Sequence, residues 1–238
     1  MPSEEVLLAH ILQEIQYEKD LAGKKVLITA GATREAIDPV RFISNHSTGK
    51  MGYAIARSAK MRGAEVTLIS GPVALEPLDG VRMIPVTSAC DMREAVMQAL
   101  PQSDLVIKAA AVGDYRPATF QDDKIKKHDD DMSISLVRNP DILAEIGEKR
   151  RDDQVICGFS METRDLLENS TKKLQKKNCD VIVANNLKVK GAGFAGDTNV
   201  VTLLYRNGKV EPLELMEKDS VADILLERLV ALYRDKNA

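Results

Sequence analysis

The sequence predicts an α/β fold: a Rossmann-like parallel sheet with helices on both faces, plus a C-terminal β-hairpin and helix. Three observations predict it. Short apolar strands alternate with helices through most of the 238 residues, the pattern of a parallel sheet covered on both sides. A glycine-bearing loop, "NHSTGKMG" (45–52), opens the helix after the first strand, where such sheets hold ligands. Near the C-terminus the rhythm breaks at Asn207-Gly208 between two apolar runs, a strong hairpin signal.

Taken in order, residues 3–20 read as an amphipathic helix, with Ser3 as N-cap and Leu7, Ile11 and Ile15 on one face. "KKVLITAG" (24–31) is a buried strand ending in a turn glycine, and "KMGYAIARSAKMRGA" (50–64) the helix after it, with Gly63 near its end. "EVTLISG" (65–71) and "VRMIPV" (81–86) are strands, and Ser88 opens a helix over 88–100. "DLVIKAAAV" (104–112) is a strand, and "NPDILAEIGEKR" (139–150) a helix with Pro140 in its first turn. A strand at 154–159, a helix at 162–178 and a strand at 179–186 continue the alternation, and the hairpin (199–215) and a final helix (220–235) close the chain. With no repeat or low-complexity linker, the expected division is an N-terminal helix over 1–21 and one domain over 22–238.

Composition bounds the function. The apolar content of 44% is ordinary for a globular chain, and no apolar run reaches membrane-spanning length. The start, "MPSEEVLLAH", has no basic n-region, so a cytoplasmic protein is expected. Cys90, Cys157 and Cys179 are widely spaced and suit packing in a reducing compartment. A net charge of −3, 4% aromatic residues and no Trp argue against a nucleic-acid surface, and three scattered histidines signal no metal site.

The loop within "RFISNHSTGKMGYAIA" (41–56) is a near-miss to two phosphate motifs. A Walker loop needs Gly at 44 and Ser or Thr at 51, where the chain has Ser44 and Met51; the dinucleotide fingerprint needs Gly at 47, where Ser47 precedes Gly49 and Gly52. The glycines keep close backbone approach for a phosphate and Ser47 adds a hydroxyl; glycines needed only for packing are the alternative. A long insert, Ala32 to Ser44, replaces the tight dinucleotide turn, and "ISGP" after the second strand has no acid for a ribose. Both departures weigh against NAD.

The other polar clusters stay open on spacing alone. "AAAVGDYRP" (109–117) leaves room for a ligand and offers Asp114 as an acceptor, or Asp114 is a turn residue. In "KIKK" (124–127), followed by "HDDD" (128–131), a lysine reaches a phosphate or the run is solvated. Asn139 in "RNPDI" caps a helix, and Phe159 is core or a base-stacking platform. Lys173 and Lys177 share a helix face, but Lys172 and Lys176 make the same pattern.

In order along residues 22–235, "ITAGATRE", "DPVRFISNHSTGKMG", "AAAVGDYRP", "KIKK", "NPDIL", "GFSMET" and "GFAGDTNVVTL" make the chain resemble the phosphopantothenoylcysteine synthetase family. This is the coenzyme A pathway ligase, often the C-terminal half of a bifunctional bacterial protein. The resemblance implies that the carboxylate of 4′-phosphopantothenate attacks the α-phosphate of CTP. Pyrophosphate leaves, and the amine of cysteine then takes the acyl group and releases CMP. It further implies that Ser47, Gly49 and Gly52 bind the triphosphate, and that Asp114, Lys124, Asn139, Pro140, Asp141, Ile142, Phe159, Lys173 and Lys177 hold the cytidine nucleotide. Lys124 matches the essential lysine, and Asn45 the asparagine that turns the acyl cytidylate into product. Arg41, Ala110 and Ala111, with Asn45, match residues around phosphopantothenate, Arg41 being expected from the neighbouring subunit of a homodimer.

The same resemblance implies Mg²⁺ held mostly by the nucleotide, with its protein ligands unassigned, and no flavin in this chain. A phosphopantothenoylcysteine decarboxylase domain or protein is the implied partner, and no nucleic acid or membrane is. Gly113 stands where Ala or Ser is usual and is expected to loosen the turn that aims Asp114. The glycine-rich loop 185–199 is expected to form a flap over the acyl intermediate. Two readings compete: an NAD(P)-dependent reductase, which lacks the full glycine set and the ribose acid, and a non-catalytic regulatory subunit, which should have lost Asn45 or Lys124. "KIKK", Phe159 and the paired lysines favour CTP over ATP.

Overall fold

The computed structural model describes residues 3–15, 17–126, 131–162, 165–186 and 196–238. In chain order the elements are α1 (Glu4–Ile15), β1 (Lys25–Ala30), β2 (Arg34–Ala36), β3 (Phe42–Ser44), α2 (Lys50–Met61), β4 (Glu65–Ser70), β5 (Arg82–Pro85) and α3 (Ala89–Ala99). Then come β6 (Leu105–Lys108), β7 (Tyr115–Pro117), β8 (Leu136–Arg138), α4 (Ile142–Lys149), β9 (Val155–Glu162), α5 (Leu166–Lys176) and β10 (Val181–Asn186). The chain ends with β11 (Thr198–Asn199), β12 (Val201–Tyr205), β13 (Val210–Pro212), β14 (Met216–Glu217) and α6 (Lys218–Lys236).

Eight strands form the main sheet in the order β13-β12-β10-β9-β6-β1-β4-β5. The six from β5 to β10 are parallel, and β12 and β13 are added antiparallel at one edge. The chain runs outward from β1 through β4 to β5, returns beside β1 as β6, and then runs outward the other way. That reversal between β1 and β6 is the topological switch point, where open α/β sheets bind ligands.

Alternating side chains bury both faces. Val26, Ile28, Leu105 and Ile107 pack with α2 and α6, whereas Leu27, Ile69, Val106 and Ile156 pack with α3, α4 and the end of α5. Gly52 lets α2 lie close on β1: a Cβ there would stand 2.6 Å from the Ala30 Cβ and 3.0 Å from the Thr29 carbonyl oxygen. At Ser88 the expected cap is a full capping box with Asp91. Gly63 takes φ +88° just beyond the C-cap of α2.

Several elements differ from expectation. The first helix stops at Ile15 rather than residue 20, because the chain beyond it is tied to the domain: the Tyr17 hydroxyl donates to Asp223 (3.1 Å) and Asp20 pairs with Arg62. Its apolar residues Leu7, Ile11 and Ile15 are exposed. α4 begins at Ile142, with Asp141, not Asn139, accepting the Ala144 N–H (3.1 Å) as N-cap. The hairpin loop between β12 and β13 spans three residues rather than two, since Tyr205 pairs with Lys209 and Gly208 takes the left-handed position (φ +88°). The insert before Ser44 is not bare loop: β2 and β3 form a small antiparallel ribbon, and β7 pairs with β8 in a second.

Candidate functional site

The loops after β1 and β6 continue side by side past the ends of their strands. Ala32 and Ala111 form a parallel bridge, and the Ala111 N–H donates to the Gly31 carbonyl (2.9 Å). Threonines of β1 and the loop after it tie the second loop: the Ala110 N–H donates to Thr29 Oγ1 (3.1 Å) and the Gly113 N–H to Thr33 Oγ1 (2.9 Å). Gly113 is therefore held, not loosened. Its carbonyl also accepts Asn139 Nδ2 (2.8 Å), its φ is ordinary, and a Cβ there would press on the Glu35 Cγ at 3.3 Å. The Asp114 carbonyl accepts the Asn139 N–H (2.8 Å), so Asn139 braces the turn that carries Asp114 instead of capping a helix.

The crevice is closed on one side of the switch point. Ala32 crosses the end of β4, where its carbonyl oxygen would lie 2.2 Å from a Cβ on Gly71. The insert is anchored there by the Arg34 N–H on the Thr87 carbonyl (2.8 Å) and by Glu35, which accepts the Ala89 N–H (3.0 Å). A dinucleotide would lay its second nucleoside over that strand. The open half lies beyond β6 and β9.

There a cavity of about 400 Å³ is lined by Asp114, Asn139, Pro140, Asp141, Ile142, Phe159, Lys173 and Lys177, with Lys108, Arg138 and Tyr115 among its other walls. Four separated segments thus converge on one space. The two lysine patterns on α5 are resolved: Lys172 pairs with Glu168 on the surface (2.6 Å), while Lys173 donates to Ser160 Oγ (3.1 Å) and Lys177 pairs with Asp141 at the cavity. Burial works to raise the Asp141 carboxyl, but the Lys177 ammonium and the Ala144 N–H prevail and hold it below the usual range. Phe159 is half-buried, packed on the core by one side and open to the cavity by the other. Lys108 was missed by sequence reasoning; the available signal was a lysine closing an otherwise apolar central strand.

Beside the cavity, α2 presents its N-terminus. Gly49 is the N-cap in the left-handed region (φ +81°), where a Cβ would also stand 2.8 Å from Val73. No side chain caps the helix and no acid lies in its first turn. The Ser47 hydroxyl is 3.4 Å from the Gly49 N–H that donates to it. Such an end suits an anion. Gly49 serves close approach, whereas Gly52 serves the helix–strand contact.

Asn45 is exposed between the two regions, its Nδ2 donating to the Ala111 carbonyl (3.0 Å). Arg41 is paired with the buried Asp38, Nε and Nη2 reaching one carboxylate oxygen at 2.9 and 2.5 Å, and it donates to the Ile125 carbonyl (3.1 Å). Asp38 also accepts the Ile125 N–H (3.2 Å) and the Val40 and Arg41 N–H groups (2.8 Å each); the Arg41 contact, above all, holds its carboxyl well below the usual range. Lys124, next to this anchor, is exposed and does not line the cavity. Lys127 and the acids at 129 and 130, like the middle of the expected flap (187–195), lie outside the described residues. Among the described residues no group of three or more His, Cys, Asp or Glu converges as a metal cage.

Fold and site together define a doubly wound α/β ligand-binding domain with one half of its crevice closed and the other walled by cations. The chain belongs to the DNA/pantothenate metabolism flavoprotein C-terminal domain family, whose model matches residues 21–233. It is 52% identical over 215 residues to the coenzyme A biosynthesis bifunctional protein CoaBC of Bacillus subtilis (90% of this chain, 53% of that protein). To the Escherichia coli K12 protein of the same name it is 43% identical over 222 residues (92% of this chain, 54% of that protein). The chain thus spans about half the length of the curated relatives it matches. A crystal structure of the C-terminal domain of a CoaBC protein matches it with a TM-score of 0.79 at 44% identity, covering 92% of this chain and 100% of that one. No helix among the described residues is long and apolar enough to cross a membrane.

Proposed function

We propose that this chain is the phosphopantothenate–cysteine ligase of coenzyme A biosynthesis, using CTP to make a 4′-phosphopantothenoyl cytidylate that cysteine then consumes. The observation that carries this reading is the convergence of Asp114, residues 139–142, Phe159, Lys173 and Lys177 on one cavity beside an uncapped helix N-terminus. In this arrangement the nucleoside enters the cavity, with Phe159 beside the base and Asp114 accepting from a ribose hydroxyl. The triphosphate lies toward Ser47 and Gly49, whose backbone and helix dipole offset its charge. The second half of the crevice is blocked by the insert, which disfavours an NAD(P)-dependent reductase.

The acyl group of phosphopantothenate belongs at the switch point, near Ala110, Ala111 and Asn45. A carboxylate is inert toward amines until its oxygen becomes a leaving group, so transfer of the cytidylyl group onto it is the enabling step. Asn45, exposed and donating to the Ala111 carbonyl, exchanges that acceptor for the acyl oxygen as negative charge gathers there. Lys124 is assigned to neutralise charge at the α-phosphate, and both effects are positioning and electrostatics rather than covalent catalysis. Mg²⁺ is taken to arrive with the nucleotide.

The reading includes a homodimer. Val40, Phe42, Tyr115, Leu136 and Val137 are exposed on the two small ribbons, which suits a second copy of the chain there, with Arg41 serving the neighbour's site. It also includes a decarboxylase, as a domain or separate protein, to take the product. The first test is pyrophosphate release from 4′-phosphopantothenate with CTP or ATP, with and without cysteine. Release that needs phosphopantothenate and CTP, with CMP following only after cysteine, is expected; no release from folded protein would overturn the reading.

A further inference from the structure

Lys108 ends β6 between Thr29 of β1 and Gly158 of β9. Its side chain continues the face of Val106, which is otherwise apolar core. Its Nζ donates to the Ala110 carbonyl (3.0 Å) and lies at the wall of the cavity. A structural role as a cap for Ala110 explains that bond. It does not explain why a cation stands where two others already converge.

The groups facing it are Lys173 and Lys177 from α5, Asp141 from the cap of α4, Asp114 from the loop after β6, and Arg138 from β8. Among the described residues the Lys108 ammonium, which carries three N–H donors, meets one acceptor, the Ala110 carbonyl, so donors remain at the cavity wall for a ligand rich in acceptor oxygens or ring nitrogens.

We propose that Lys108 is a further ligand-binding residue of this cavity, donating from its ammonium to an acceptor atom of the bound nucleotide. This rests on the nucleotide reading above. Burial, and then the Lys173 ammonium, push Lys108 down to about 8, with Asp141 and Asp114 pulling the other way. Before a ligand binds it is therefore about half charged at pH 8. An acceptor at its Nζ favours the charged form, so binding draws in roughly half a proton there.

The test is calorimetric titration of the full chain with CTP, in two buffers of different ionisation enthalpy, for wild type, Lys108→Met and Lys108→Arg. Wild type should take up about half a proton at pH 8 and weaken about tenfold from pH 7 to pH 9 as the free ammonium is lost. Lys108→Met should bind at least about tenfold more weakly at pH 7, show no such uptake, and lose the alkaline decline; Lys108→Arg should bind near wild-type strength, also without uptake, because guanidinium stays charged. Thermal melts matching wild type exclude a folding defect, and Lys108→Arg carries the test should Lys108→Met unfold. If wild type binds CTP and Lys108→Met matches it in affinity and proton uptake, this inference falls while the nucleotide reading stands. If wild type does not bind CTP at all, the nucleotide reading falls first.

Discussion

Gly52→Ala isolates the contact that sets α2, and with it the anion-accepting end of the site. A Cβ at position 52 would stand 2.6 Å from the Ala30 Cβ, with the Ala30 Cα and the Thr29 carbonyl oxygen each at 3.0 Å. Carbon atoms sit comfortably at roughly 3.5–4.0 Å, so the helix has to retreat by about 1 Å. Overpacking costs about 1–3 kcal/mol and an approach as short as 2.6 Å falls in the upper part of that range, about 2–3 kcal/mol, while the better helix propensity of Ala returns at most about 1 kcal/mol. The net loss of about 1–2 kcal/mol should lower the melting temperature by roughly 2–8 °C. Because Gly49 and the first turn's N–H groups ride on the same helix, the nucleotide KM should rise about tenfold, a modest share of what a 1 Å misplacement can cost. Scanning calorimetry and pyrophosphate release read the two effects. Gly208→Ala is the control: its φ of +88° is strained for Ala but its surroundings are open and remote, so it should lose stability with KM unchanged. A Gly52→Ala protein that melts within about 1 °C of wild type would refute the packing argument. One that melts lower with an unchanged KM would refute its link to the site.

Asn45→Ala, at an exposed position, should melt like wild type, keep phosphopantothenate-dependent pyrophosphate release, and accumulate acyl cytidylate detectable by mass spectrometry. If the proposed homodimer forms through the ribbons, Phe42→Asp on the exposed ribbon should shift the mass seen by light scattering from two copies toward one and depress activity, and a wild-type mass of one copy would refute the dimer. Glu211 bonds Lys209, Tyr205 and Arg228, and these contacts, led by Lys209, hold its carboxyl down to about 2. A depressed carboxylate stabilises the fold above its unfolded value of about 4.3 and ceases to as pH falls through the folded one, so Glu211→Gln should melt below wild type at pH 7 and converge with it near pH 2.

The parallel sheet was legible because each central strand is buried on both faces and reads as a short apolar run, as in Val26–Ile28 and Leu105–Ile107. Hairpin and capping signals were equally local. What sequence could not decide was set by docking. Lys172–Lys176 and Lys173–Lys177 have the same spacing, and only the angle at which α5 meets β9 puts the second pair at the cavity. Asn139 precedes a helix and has a cap's chemistry, yet its side chain serves a turn from another strand. The ribbons within the insert carry too few residues for a period to emerge. Lys108 went unread because a lone lysine at a strand end has no pattern; its meaning comes from neighbours distant in sequence.

Asp38 has a consequence for how substrates load. One buried carboxylate holds the Arg41 side chain and the backbone at Ile125, immediately beside Lys124. The arm assigned to the acyl substrate and the arm assigned to the nucleotide are therefore fastened at a single rivet, and neither can be set without setting the other. In the proposed dimer Arg41 reaches the neighbouring copy's site while Lys124 stays at its own, so this one side chain would couple the acyl end of one site to the nucleotide end of the other, with no rearrangement of the sheet beneath it.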